Sequence, residues 1–250
     1  MEFEGLVAEA AGMPLRGWDF EWLRGRVSGS DPSWSYEALA GDLVRESSSL
    51  LDVDTGGGEL LSTLGPLPAR TVATEGWEPN LAVARERLAP LGVDVRFGRG
   101  DQLPVADGSV DLLLNRHGLL DAGEVARVLA PGGVLLTQQV GSADCAEINA
   151  ALGAPPPYGR SWNAGDAVAG LAAVGMAVTD VREEWPPLTF FDIGALVYQL
   201  RAVAWQVPDF TVERYERGLR RIDRHIRAHG EFRVRAHRFL LCGRAAVRAD

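Results

Sequence analysis

The sequence predicts a doubly wound α/β fold on a mostly parallel sheet, with an N-terminal helical segment and a late helical insertion. Three observations predict it. From Leu50 onward, short apolar runs alternate with stretches of helical spacing, which implies right-handed strand–helix–strand crossovers. The first apolar run ends in the triple glycine Gly56-Gly57-Gly58, and acids follow the next two. Two apolar runs near the C-terminus bracket a helical insertion, as a terminal hairpin would.

Residues 1–50 read as helices and loops, broken at Gly29-Ser30-Asp31-Pro32. Ser33 or Ser35 can cap a helix running to about Arg45, with Tyr36, Leu39, Leu43 and Val44 as its apolar side. Strands are expected over 50–53, 71–74, 93–97, 110–114, 134–140, 176–184 and 232–242. A short helix is expected over 59–64. Another starts at Pro79, a residue that a first helical turn tolerates, and continues through Leu81, Ala84, Arg85 and Leu88. Asp121 can cap a helix over 122–129 that Pro131-Gly132-Gly133 ends. A further helix is expected over 163–174. Pro155-Pro156-Pro157 reads as a rigid linker. Residues 186–230 form an insertion with an apolar helix near 192–206 and a second helix capped by Thr211. Val212, Tyr215, Leu219, Ile222 and Ile226 give the second helix one apolar stripe. The expected domains are an N-terminal lid segment (1–49), the core (50–185 and 231–246) and the insertion, which would cover the substrate site.

Composition narrows the chemistry. All 25 basic residues of the 250-residue chain are arginine. Without lysine the chain forms no Schiff base of its own and no complete Walker A loop. Net charge is −9, which argues against nucleic acid, whose phosphates need a basic footprint. Cys145 and Cys242 lack metal or redox spacing. The acidic N-terminus is unlike a signal peptide, and no apolar run reaches membrane-span length. A cytoplasmic setting without membrane attachment is the default expectation.

The informative constellation is Asp52 on the first strand, then Asp54-Thr55-Gly56-Gly57-Gly58-Glu59. Glycines at a strand-to-helix turn let a ligand approach the backbone. A dinucleotide fingerprint needs a third glycine, and Leu61 stands in its place. Two aspartates would also repel a pyrophosphate. A cationic ligand such as S-adenosylmethionine suits the loop better. Glu75, about 20 residues past the glycines, is placed to accept from a ribose diol. Asp101 follows the third strand and can accept from an adenine amino group.

Through LLDVDTGGGE, ATEGWEPN, GRGDQLPVADGSVDLLLNRH and EVARVLAPGGVLLTQQV, residues 50–140 resemble the class I S-adenosylmethionine-dependent methyltransferases, in particular the type 11 branch. The resemblance implies a Rossmann-like sheet of seven strands with an antiparallel last strand. It also implies S-adenosylmethionine as cofactor and S-adenosylhomocysteine as product. By the same resemblance Asp52, Gly56 and Gly58 line the methionine end, and Glu75 and Trp77 the ribose and adenine side. Asp101 and Gln102 meet the adenine, and Asn115 lies beside the cofactor. The family's loop usually starts Asp-x-Gly; here Asp54 holds that glycine's place. Its carboxylate can bond the ligand's ammonium, as Thr55 can line the same loop, or it can block the site by bulk.

For the chemistry, His117 after the fourth strand is the candidate base. Arg116 and Gln139 are candidate substrate contacts, with surface pairing and sheet-face packing as their alternatives. Trp18, Trp22, Trp34 and Tyr36 form either an aromatic lid or ordinary core. His225 and His229 stand one helical turn apart without a carboxylate-rich motif, so no metal is expected. The apolar insertion helix suits either a pocket cover or a homodimer surface. The expected activity is O-methylation of a small, largely apolar acceptor. The alternatives are an RNA methyltransferase and a non-catalytic binding protein whose cofactor loop Asp54 impairs.

Overall fold

The computed structural model describes residues 2–15, 20–156 and 159–247. In chain order its helices are α1 (Phe3–Gly12), α2 (Tyr36–Glu46), α3 (Glu78–Leu88), α4 (Ala122–Val128), α5 (Ala146–Leu152), α6 (Ala164–Ala173), α7 (Ile193–Ala202) and α8 (Val212–His229). Its strands are β1 (Val27–Gly29), β2 (Ser49–Val53), β3 (Arg70–Glu75), β4 (Asp94–Phe97), β5 (Val110–Arg116), β6 (Leu129–Val140), β7 (Ala177–Glu184), β8 (Pro187–Phe190), β9 (Phe232–Arg235) and β10 (Arg238–Arg244).

The chain packs as two compact units. One comprises Ser33–Val140, Asn163–Glu183 and Phe239–Asp250. It holds a seven-strand, mostly parallel sheet in the order β4-β3-β2-β5-β6-β10-β7, with an antiparallel strand. The pairs β2/β3, β2/β5, β3/β4 and β5/β6 are parallel. β2 is buried along its whole length, as expected of a central strand covered on both faces. Trp34, Tyr36, Ala40 and Val44 pack into this unit's core with Leu50, Leu112, Leu114 and Leu136. Trp34 and Tyr36 are therefore core residues here, not a free lid. Ser35 caps α2, its hydroxyl accepting from the Ala38 N–H at 3.1 Å.

The other unit comprises Met1–Pro32, Gly141–Trp162 and Glu184–Arg238. It contains a second sheet, β1-β8-β9, antiparallel throughout. Its core joins α1, α5, α7 and α8 through Phe3, Val7, Ile148, Leu196, Leu219 and Ile222. Trp22 packs on Tyr198, with ring centroids 5.0 Å apart. Trp18 lies outside the described residues.

The apolar residues of α7 are buried inside their own unit. Two expectations are corrected. The run 232–242 splits into β9 and β10, which belong to different sheets. The short helix expected over 59–64 is only a 3₁₀ turn, Leu61–Thr63. There Ser62 and Thr63 return their hydroxyls to the Glu59 and Leu60 carbonyls, competing with α-helical pairing.

Candidate functional site

The candidate residues meet where β2, β3, β4 and β5 end at their carboxyl edge. The parallel register sets this: Asp52 on β2 pairs with Ala73 of β3 and Leu114 of β5, while Val53 pairs with Asn115. Glu75 ends β3 opposite Phe97 of β4. Ligands in open α/β sheets bind at this edge.

The turn after β2 is tight. Asp54 adopts a left-handed backbone (φ 55°), as do Gly56 and Gly58. A Cβ at Gly58 would come within 2.8 Å of Leu88 on α3, so glycine there permits the close loop–helix contact. Thr74 holds the turn, its carbonyl accepting from the Thr55 N–H at 2.8 Å and its hydroxyl from the Asp54 N–H at 3.3 Å.

Three acids stand near this edge, with Asp54 in charge interaction with both Asp52 and Glu75. Asp52 is 8% exposed and Glu75 6%. Burial pushes the Asp52 carboxyl up to about 7, partly offset by the nearby Thr55 hydroxyl and reinforced by the Asp54 charge. The Thr55 hydroxyl is buried without a well-formed hydrogen bond. Asp54 is also raised, chiefly by burial and further by Glu75 and Asp101, against the lowering effects of the Leu119 N–H and Arg99. Glu75 Oε1 accepts from the Trp77 N–H at 2.7 Å. A cluster of buried and half-buried acids with Arg99 as its cationic offset is suited to a positively charged ligand.

The segment after β5 crosses this edge. The Leu119 N–H donates to Asp54 Oδ2 at 3.0 Å, and its carbonyl accepts from Asn115 Nδ2 at 3.2 Å. A Cβ at Gly100 would collide with that carbonyl, and one at Gly118 would come within 2.6 Å of the Asp54 carboxylate. Asn115 is buried, its Oδ1 accepting from Gln139 at 2.6 Å and from the Thr137 hydroxyl at 3.2 Å. Gln139 thus holds Asn115 in place from inside the sheet. His117 has a positive φ of 64°. Its Nε2 lies 3.0 Å from the Gln138 amide nitrogen, and the Gln138 oxygen accepts from Trp34 Nε1 at 2.7 Å.

The remaining candidates stand further out. Trp77 is 55% exposed. Asp101 and Gln102 are exposed, with Asp101 3.5 Å from Arg99. Arg116 is exposed at the end of β5. His225 and His229 stack in the other unit with ring centroids 4.3 Å apart. Among the described residues no cluster of three or more His, Cys, Asp or Glu could hold a metal ion, and no helix is long and apolar enough to cross a membrane. Sequence reading gave no role in this network to Thr74, Thr137 or Leu119. Backbone groups carry part of it, and backbone leaves no sequence signal.

Residues 51–137 match the family model described as a methyltransferase domain. Over 119 residues the chain is 34% identical to the demethylmenaquinone methyltransferase of Thermus thermophilus, covering 43% of this chain and 54% of that protein. The chain thus spans about half the length of that relative. The fold is similar to that of YcgJ from Bacillus subtilis, at 16% identity and TM-score 0.63, covering 85% of this chain and 99% of that one. It is also similar to that of a putative methyltransferase from Bacillus halodurans, at 20% identity and TM-score 0.62, covering 84% and 99%.

Proposed function

We propose that this chain is a class I S-adenosylmethionine-dependent methyltransferase, a reading supported by the match of residues 51–137 to a methyltransferase domain, and that it methylates a small, largely apolar molecule. The observation that carries this is the pair of buried acids Asp52 and Glu75 with the half-buried Asp54 between them in charge interaction, and little positive charge among them. When bound, the cofactor offers a methyl group activated by a sulfonium. Asp52, Asp54, Thr55, Gly56 and Gly58 hold its cationic methionine end. Glu75 and Trp77 hold the ribose, Asp101 and Gln102 the adenine, and Asn115 flanks it from β5. The protein's work is positioning and exclusion of water.

The acceptor is a small molecule and not nucleic acid, in keeping with the net charge of −9. The Thermus relative is named for demethylmenaquinone, which supports an apolar acceptor. Oxygen is the acceptor atom, and Arg116 at the end of β5 stands on the acceptor side.

A second reading has one observation in its favour. The hydrogen bond between Asp54 and Leu119 ties the β5 loop across the strand ends. A chain in which this contact never opens would be a binding protein without turnover.

Calorimetric titration with S-adenosylmethionine and S-adenosylhomocysteine tests both. Binding that is lost in Glu75→Ala supports the methyltransferase. No binding by the unmodified chain, restored by Asp54→Gly, would pass the lead to the second reading.

A further inference from the structure

The hydrogen bonds around His117 decide what its ring can do. Trp34 Nε1 lies 2.7 Å from the Gln138 side chain. An indole nitrogen only donates, so the atom facing it is the amide oxygen. The other end of that amide is then NH₂, and it lies 3.0 Å from His117 Nε2. An amide nitrogen also only donates, so Nε2 carries the lone pair and the ring proton sits on Nδ1. Turning the amide over would oppose two donors at Trp34. Trp34 and Gln138 are each 5% exposed, so little water is at hand to replace a broken bond. The backbone fixes the ring's origin as well, the His117 N–H donating to the Gln138 carbonyl at 2.7 Å.

We propose that Trp34 and Gln138 are positioning residues that lock His117 as the Nδ1–H tautomer, with its Nε2 lone pair committed to Gln138. His117 then does not take the acceptor's proton. The acceptor is one that ionises without it, a phenol or enol. Its proton leaves to solvent, its oxygen lone pair forms the new bond to the methyl carbon, and the electrons of the broken carbon–sulfur bond stay on sulfur as the neutral thioether. The acceptor class rests on the methyl-transfer reading; the tautomer does not.

Nitrogen-15 NMR of the histidine rings tests the lock on the full chain, with His117→Asn assigning the signal. Asparagine tolerates the positive φ. The expected spectrum has a lone-pair nitrogen at Nε2 and a protonated one at Nδ1. Gln138→Glu is nearly isosteric and offers an acceptor to both Trp34 and His117, so it moves the proton to Nε2. A proton on Nε2 in the unmodified chain, or no change in Gln138→Glu, overturns the lock.

Turnover with para-nitrophenol as acceptor probe tests the consequence. His117→Asn retains activity within about tenfold, whereas removing a true base costs about 10²–10⁴-fold. A loss of that larger size overturns the assignment, and no turnover by the unmodified chain counts against the acceptor class. Calorimetry with S-adenosylmethionine separates either failure from failure of cofactor binding.

Discussion

Two buried acids, one in each unit, have nearly the same exposure and opposite surroundings. Asp144, 7% exposed, accepts the His237 N–H at 2.8 Å and pairs with the Arg238 guanidinium. Asp52, 8% exposed, has the Thr55 hydroxyl nearby and a second carboxylate, Asp54, beside it. Burial is equal; compensation is not. A buried charge with its partner in place is part of the architecture. A buried charge left with like charges around it is unfavourable to folding, and a cationic ligand would relieve it. Charge compensation, not burial, therefore separates the structural acid from the one proposed to bind a ligand.

The largest test of this contrast is Arg238→Met. It strands Asp144 in the interior, and breaking such a buried pair costs about 3–5 kcal/mol. Denaturant titration should register that loss of stability, while calorimetry shows unchanged affinity for S-adenosylmethionine. A loss well under 1 kcal/mol would mean that solvent already compensates Asp144, and the contrast would fail.

Glu75→Gln should do the reverse. Stability should hold or rise, because one member of a crowded acid cluster becomes neutral. Affinity for S-adenosylmethionine should fall about 10–100-fold, as expected when hydrogen bonds lose their charged acceptor, worth about 1.5–3 kcal/mol. Unchanged affinity would remove Glu75 from the cofactor site and leave its burial without a functional reason.

The contrast also explains what was legible in the sequence. The seven-strand unit was legible because its signals are local: buried strands read as apolar runs, and Ser35, Asp121 and Asn163 cap the helices they precede. Asp52, Asp54 and Glu75 were visible because parallel strands bring their carboxyl ends to one edge. The second sheet was not. β1, β8 and β9 are three or four residues each, too short for alternation to show, and no glycine or proline marks the break between Val234 and Arg238. α5 was hidden too, since Cys145 precedes it with a left-handed backbone (φ 48°) and no capping bond from its side chain. The Trp34–Gln138–His117 chain spans 104 residues, and only the fold reveals a contact of that range.

Asp52 gives the smallest and sharpest prediction. Burial pushes its carboxyl up to about 7 from the ordinary aspartate value of 3.8. Between those values the native state holds a proton that the unfolded chain has released. Stability of the ligand-free protein therefore falls as pH rises through that window and levels off above about 7. Under the proposed function S-adenosylmethionine binds the carboxylate form, so its binding below pH 7 should expel the proton. Affinity should weaken as pH falls, by at most about tenfold per unit. Calorimetry in buffers of different ionisation enthalpy should detect up to about one proton released per ligand bound. Asp52→Asn mimics the protonated acid, so it should abolish both the release and the pH slope of stability. Proton release that persists in Asp52→Asn would assign the titration to Asp54, also raised by burial, and move the cation's principal contact from β2 to the turn after it.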